Sequence, residues 1–354
     1  MSTNPTKNTR ARITQRDAIY LAFLAKFPAA DAEALSYLAY RGDNPWVGGD
    51  ELPTPSGITR KMTKLTQLGA VSRYRNPLSG VSHYGLTPLG HEAVTFYGYD
   101  IPTWRGIKGL SISRLEHYRN IALVAAQLVS PTAPLASELR LPGALPLELL
   151  VSENEMRSAY DSIARQLASL REEGKAGATY AAYRYRTAEK LLAEADAGDV
   201  EHAEIVARHP ELLTIATPAT KNLDTHKPIH QNDLAIRLDD MARSAKQPRT
   251  TNILMEVEIA MKKPEAYEQI MRTLRAEFSA GIAYQRAVYF CGTPAIAKRV
   301  RDADRNAGTG LIDKKRLLVL PITGRTPHPA RQTERVTVPQ EPAATVPTSE
   351  EETR

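Results

Sequence analysis

Glu256 and Glu258 stand two residues apart in an otherwise apolar run, NILMEVEIAM (252–261). In a strand, side chains two apart share a face, so both carboxylates would point the same way. Like charges there repel unless water or a cation lies between them. A second apolar run just upstream, NDLAIRL (232–238), carries Asp233 near its start. Asp233, Glu256 and Glu258 therefore form a candidate all-oxygen site for a divalent cation, Mg²⁺ by preference. Such an ion can activate water and offset charge on a scissile phosphate. Lys262, a few residues on, is the residue to position or polarise that water. The competing reading of the two glutamates is a solvated edge-strand face.

A second constellation is basic. In TPSGITRKMTKLTQLGAV (54–71), Ile58, Met62, Leu65 and Leu68 form one helical stripe. The opposite face carries Thr59, Arg60, Thr63, Lys64 and Gln67. An arginine can pair bidentately with guanine, and helical spacing puts Arg60 and Lys64 on one face. Arg73, Arg75 and His83 follow on a predicted hairpin, where contact with phosphates or the minor groove is expected.

Three weaker constellations remain. His226, His230 and Asp233 in HKPIHQND (226–233) have the side chains for a transition-metal site, but no helix is evident to align them. Tyr180, Tyr183 and Tyr185 in TYAAYRYR (179–186) suit either base stacking or packing on a helix. The single cysteine, Cys291, excludes an internal disulfide and a cysteine zinc cluster, which fits a reducing compartment. A phosphate-binding Gly-x4-Gly-Lys-Ser/Thr loop is missing, so an NTPase of that class is excluded.

The elements that must position these groups are readable from period and punctuation. Helical spacing covers 13–27 and 31–40, and Thr54-Pro55 then starts a third helix that Gly69 closes. Strands are expected at 70–75 and 81–86 around the turn Asn76–Gly80, and Thr87-Pro88 starts a further helix. Three helices, a hairpin and a returning helix make a winged helix-turn-helix pattern over 13–98. Its third helix would lie in the major groove of double-stranded DNA and its hairpin near phosphates. Some modules of this shape contact only protein.

Helices are predicted at 113–129, ended by Ser130-Pro131, and at 152–173, opened by the capping box Ser152 to Glu155. Residues 99–210 read as a helical connector. The stretch 211–322 alternates strands (232–238, 252–261, 286–291, 316–321) with helices (264–278, 294–306). The expected fold class is α+β, with a winged helix domain, a helical spacer and an α/β module. Residues 1–12 read as a basic arm and 323–354 as a tail too poor in large apolar residues to fold.

Composition agrees. The chain has 354 residues, 42% hydrophobic and 24% charged, and a formal net charge of +6. Residues 1–110 hold 13 Lys/Arg against 8 Asp/Glu, which is +5 of that total and the footprint of a nucleic-acid binder. No long apolar run or secretory leader is visible, so membrane insertion is not expected and a cytoplasmic location is.

The order β, β, α, β, α, β with acids on the first two strands is the layout of the PD-(D/E)xK nuclease core. The chain resembles the replication-relaxation family of bacterial plasmids, phages and integrated elements. The resemblance rests on YGLTPLG (84–90), at the end of the winged helix, and MEVEIAMKKPEAY (255–267), an acid-rich strand followed by lysine and a tyrosine-bearing helix. It spans about residues 13–321. It implies a DNA-binding protein acting in plasmid or phage replication or its control, with a restriction-endonuclease-like module that cleaves DNA with Mg²⁺. The alternative is a transcriptional regulator whose module is inactive and serves homodimerisation or the binding of a replication or regulatory protein. Two positions depart from the nuclease pattern. Asn232 stands where proline is expected, and Glu258 stands where lysine is expected, so that Lys262 or Lys263 must supply the cation. The histidine pair that a relaxase needs is missing.

Overall fold

A computed structural model describes residues 13–38, 52–101, 103–175, 178–216, 229–238 and 250–324. The predicted N-terminal arm, most of the predicted tail and His226 lie outside the described residues. The fold is mixed α+β with a mixed sheet.

The first module is built from α1 (Gln15–Lys26), α2 (Ala32–Leu35), α3 (Pro55–Gln67), strands β1 (Val71–Arg75) and β2 (Ser82–Leu86), and α4 (Pro88–Phe96). Each helix starts where a side chain caps it. Thr14 and Asp17 form a reciprocal capping box on α1, Thr54 accepts from the Gly57 N–H on α3, and Thr87 accepts from the Gly90 N–H on α4. Gly69, at φ +77°, ends α3, and the Ala70 N–H returns to the Leu65 carbonyl. The two strands pair antiparallel, Val71 opposite Leu86 and Arg75 opposite Ser82.

The main sheet has the order β3-β6-β7-β8-β9, with β3 (Leu150–Ser152), β6 (Leu234–Ile236), β7 (Ile253–Glu258), β8 (Arg286–Cys291) and β9 (Leu317–Pro321). The β3, β6 and β7 contacts are antiparallel, and β7, β8 and β9 run parallel. The parallel strands are joined by α10 (Pro264–Ala280) and α11 (Pro294–Asn306). A two-residue pair, β4 (Ile215–Ala216) with β5 (Ile229–His230), lies outside this sheet.

Strand β7 is central and buried along its whole length, so its alternation assigns the faces. Ile253, Met255 and Val257 join a core shared with α5 (Ile112–Val129) and the first module. Leu254 joins the opposite core, with Tyr267 and Met271 of α10 and Val300 of α11. Helix α5 is buried from Leu115 to Leu128 apart from Glu116 and His117, because it is covered by the first module on one side and the sheet on the other.

Residues 99–210, expected as a helical connector, are mostly helical: α5, α6 (Ala136–Leu139), α7 (Glu153–Glu172), α8 (Tyr180–Ala197) and α9 (His202–Arg208). They also supply β3 to the sheet, so they are part of its architecture and not a spacer. Among the described residues, no helix is long and apolar enough to cross a membrane.

Candidate functional site

The polar residues predicted to form the reading face of α3 divide by exposure. Thr59, Arg60, Lys64 and Gln67 are exposed and Thr63 is half-buried, while Ile58, Met62 and Leu65 are buried beneath them. No acid occurs anywhere in α3. Lys61 turns back to Asp17 at 2.6 Å and is part of the packing. The Thr59 and Thr63 hydroxyls donate to the carbonyls of Pro55 (3.0 Å) and Thr59 (2.9 Å).

On the hairpin, Arg73 and Arg75 are exposed. Arg73 Nε donates to Ser82 Oγ at 3.0 Å, and Arg75 Nε to the Gly80 carbonyl at 3.3 Å. The buried Tyr84 ring joins the two elements, since its hydroxyl lies beside Thr59 of α3 and beside Ser82 and Arg73 of the hairpin, although none makes a well-formed hydrogen bond to it. Burial pushes the Tyr84 phenol up, and Arg73 works against that.

His83 is a correction. It was expected to reach phosphate from the hairpin, but its side chain is fully buried. Nδ1 lies 3.2 Å from the Ala29 carbonyl, and Nε2 lies 3.4 Å from Glu116 of α5. Strand β2 is covered on both faces, so strand parity could not show which way the imidazole points.

The acidic residues meet on one face of the main sheet. Register places Leu234 opposite Met255, so Asp233 and Glu256 fall side by side just beyond the last paired residues. Asp233 Oδ2 accepts the Val257 N–H at 2.7 Å, and Oδ1 accepts from His117 Nε2 at 2.9 Å. Glu256 accepts from His230 Nε2 at 2.8 Å, and Lys262 is hydrogen-bonded to Glu258. Tyr289, opposite Glu256 on β8, is fully buried with its hydroxyl unpartnered. A small cavity of about 20 Å³ between the end of α1, α5 and the start of α7 reaches Asp233, with Lys26, Arg105 and Arg157 on its walls.

The electrostatics follow from burial and proximity. Burial pushes the Glu256 carboxyl up, His230 opposes this, and Asp233 adds to it. Burial works against a charge on His230, but Glu256 overrides it and raises the imidazole. Both members of the pair shift upward, so the shared proton is tightly held. We place it on His230, whose positive charge also faces Asp233. Burial likewise opposes charge on His117 and on Lys262; Asp233 raises the first, and Glu256 with Glu258 raises the second. Burial, then the nearby carboxylates, holds the Tyr289 phenol well above its ordinary value.

The predicted set of Asp233, Glu256, Glu258 and Lys262 thus converges, but not as an open oxygen cage. A hard divalent cation needs several free oxygen ligands. Both Asp233 oxygens are engaged, and each glutamate already has its own cation. Among the described residues, no group of three or more His, Cys, Asp or Glu is arranged to hold a metal ion. As arranged, the residues do not fit the predicted Mg²⁺ site, and the repulsion expected between the glutamates is relieved by His230 and Lys262. The glutamates are also not on a solvated edge, because β7 is the middle strand. His117 was missed by the sequence reading, since a histidine in a helix far upstream gives no local signal of its partner. Of the tyrosine cluster, Tyr180 and Tyr183 bond to the 210–214 turn, and Tyr185 is exposed.

No family model, curated protein or solved structure matches this chain.

Proposed function

We propose that this protein binds double-stranded DNA in a sequence-directed manner through α3 and the β1–β2 hairpin. The observation that carries the reading is the acid-free exposed face of α3, with Arg60, Lys64 and Gln67, contiguous with Arg73 of the hairpin around Tyr84. Three helices followed by a hairpin and a returning helix are the parts of a winged helix-turn-helix domain, in which the third helix enters the major groove. Arg60 is then a base-edge reader, and Lys64, Arg73 and Arg75 neutralise phosphate. The resemblance to the replication-relaxation family supports a role in plasmid or phage replication or its control, in the bacterial cytoplasm. The sheet module, restriction-endonuclease-like in its strand order, serves in this reading as a rigid platform or a surface for a second copy or a regulatory partner.

The test is selection of a preferred site from random duplexes, followed by titration of wild type and of an Arg60→Ala/Lys64→Ala variant. The double variant is expected to lose most specific binding, with a shallower salt dependence, since each phosphate contact contributes about −0.9 to the slope of log K against log salt. An unchanged affinity and slope would remove α3 as the reading helix.

Metal-dependent DNA cleavage is the second reading that the sequence pattern suggests, and the pairing of Asp233 with His117, Glu256 with His230 and Glu258 with Lys262 argues against it. Nicking of supercoiled plasmid with Mg²⁺ or Mn²⁺, abolished by Glu256→Gln with binding retained, is the result that would establish it. Equal inertness of wild type and variant leaves the platform reading.

A further inference from the structure

The tip of the β1–β2 hairpin carries an apolar side chain where a turn needs none. Leu78 is 84% exposed, more than Phe96 at 71% or Tyr185 at 51%. Pro77, Ser79 and Gly80 around it are exposed as well, and the arginines Arg73 and Arg75 stand on the strand leading to it. A single exposed leucine is ordinary on a protein surface. Its mounting is not.

Asn76, at the base of the tip, is buried to 2% exposure. Its Oδ1 accepts the Leu78 N–H at 2.9 Å and the Ser79 N–H at 3.4 Å. Its backbone closes the turn at both ends, to Val81 and from Gly80, each at 2.8 Å. Its Nδ2 donates to Glu116 Oε1 at 2.7 Å. Glu116 belongs to an ion network in which Arg119 pairs with both Asp31 and Glu33. The turn is therefore braced from the side by α5 and α2, and Leu78 is held out on a support that loses little further entropy on binding.

The geometry points to Leu78, with Pro77 beside it, as a wedge that enters the minor groove and partly unstacks one base step of bound duplex DNA, bending it. Leucine and proline are suited to this, since an apolar side chain between base steps opens them toward the major groove. A flexible pyrimidine–purine step is the one that yields most readily. Arg73 and Arg75 supply the flanking phosphate contacts that hold the strands against the tip. The inference rests on DNA binding through α3, which would place the tip over the neighbouring groove.

The experiment uses the full chain and a duplex selected by the wild type. Bending is read by energy transfer between the duplex ends, and unstacking by 2-aminopurine placed at successive steps. Wild type is expected to shorten the end-to-end distance and to raise 2-aminopurine fluorescence at one step. Leu78→Ala should lose both signals and about tenfold in affinity. Its footprint and salt slope should stay the same, because leucine carries no charge. Arg75→Ala should instead reduce the magnitude of the salt slope by about 0.9. An exposed leucine leaves thermal stability untouched when truncated, so folding does not confuse the result. Retained bending and affinity in Leu78→Ala would overturn the wedge while leaving DNA binding standing. Loss of self-association with unchanged bending would overturn it in favour of a protein contact. A wild type that binds no duplex at all would overturn both this inference and the reading beneath it.

Discussion

His117 Nε2 and Asp233 Oδ1 meet at 2.9 Å although 116 positions separate them in the chain. The contact ties α5 to the start of β6, and with β3 it makes the segment between the two predicted modules part of the candidate site. Asp233 is held twice, by this imidazole and by the Val257 N–H. His117→Ala would leave one oxygen of a nearly buried carboxylate without its partner. The expected cost is about 1–3 kcal/mol of unfolding free energy, read as a lower urea midpoint with unchanged slope. An unchanged midpoint would mean that water or a neighbouring side chain replaces the imidazole freely.

Glu116 makes the stability of the first module dependent on acid pH. The approach of His83, opposed by burial and aided by Asn76 and Arg119, lowers its carboxyl from 4.5 to about 2. A folded-state value below the unfolded one means that the stabilisation is present above pH 4.5 and is lost as pH falls toward about 2. Wild type should therefore lose melting temperature over this window more steeply than Glu116→Gln. Parallel curves for the two proteins would show that the carboxylate is not held as the structure implies.

Much of this architecture is legible in the residues, for local reasons. Helix starts at Thr54-Pro55, Thr87-Pro88 and Ser152 are set by side chains that cap their own backbone, so the signal lies within four residues. Strand β8 and helix α11 match their expected bounds because each is punctuated by polar or glycine residues on both sides. Long-range choices are not legible. Strand β3 has three residues after a Pro/Leu-rich stretch with no period, and only pairing with β6 makes it a strand. The orientation of His83 is decided by Glu116 and the Ala29 carbonyl, and the cation beside Glu256, His230, by tertiary placement. The three acids and Lys262 were found by type and spacing. The pairing of His230 with Glu256 and of His117 with Asp233 was not.

The segment YGLTPLG reads as packing, and this predicts which of its residues tolerate change. Tyr84 and Leu86 are buried, and Thr87 caps α4. A Cβ on Gly90 would lie 2.2 Å from the Ala70 carbonyl oxygen and 2.7 Å from Leu86 Cδ1. The first of these is backbone and cannot turn aside. Gly90→Ala should cost about 1–3 kcal/mol as overpacking, visible as a lower melting temperature. A variant as stable as wild type would mean that α4 can slide away from the β1 end without loss.

Arg184 and Glu277 bear on the tyrosine cluster, and their prediction separates packing from nucleic-acid stacking. Arg184 is buried on α8, with Nη2 3.0 Å from Glu277 Oε2 of α10 and 2.8 Å from the Leu212 carbonyl. Its Nε donates to the Thr214 carbonyl at 3.0 Å, and Tyr180 donates to that same carbonyl at 2.8 Å. The other oxygen of Glu277 accepts the Ala283 N–H at 2.8 Å and the Tyr284 N–H at 3.3 Å. Removing the guanidinium leaves a buried carboxylate with a counter-charge lost and two carbonyls with a donor lost. Arg184→Ala should therefore destabilise by about 3–5 kcal/mol. Arg184→Lys should recover little, because one ammonium cannot reproduce a planar fork that serves both carbonyls and the carboxylate. Where the variants still fold, DNA affinity and its salt slope should equal those of wild type. If Arg184→Ala melts like wild type but weakens DNA binding, the cluster is a stacking surface and its packing role is wrong.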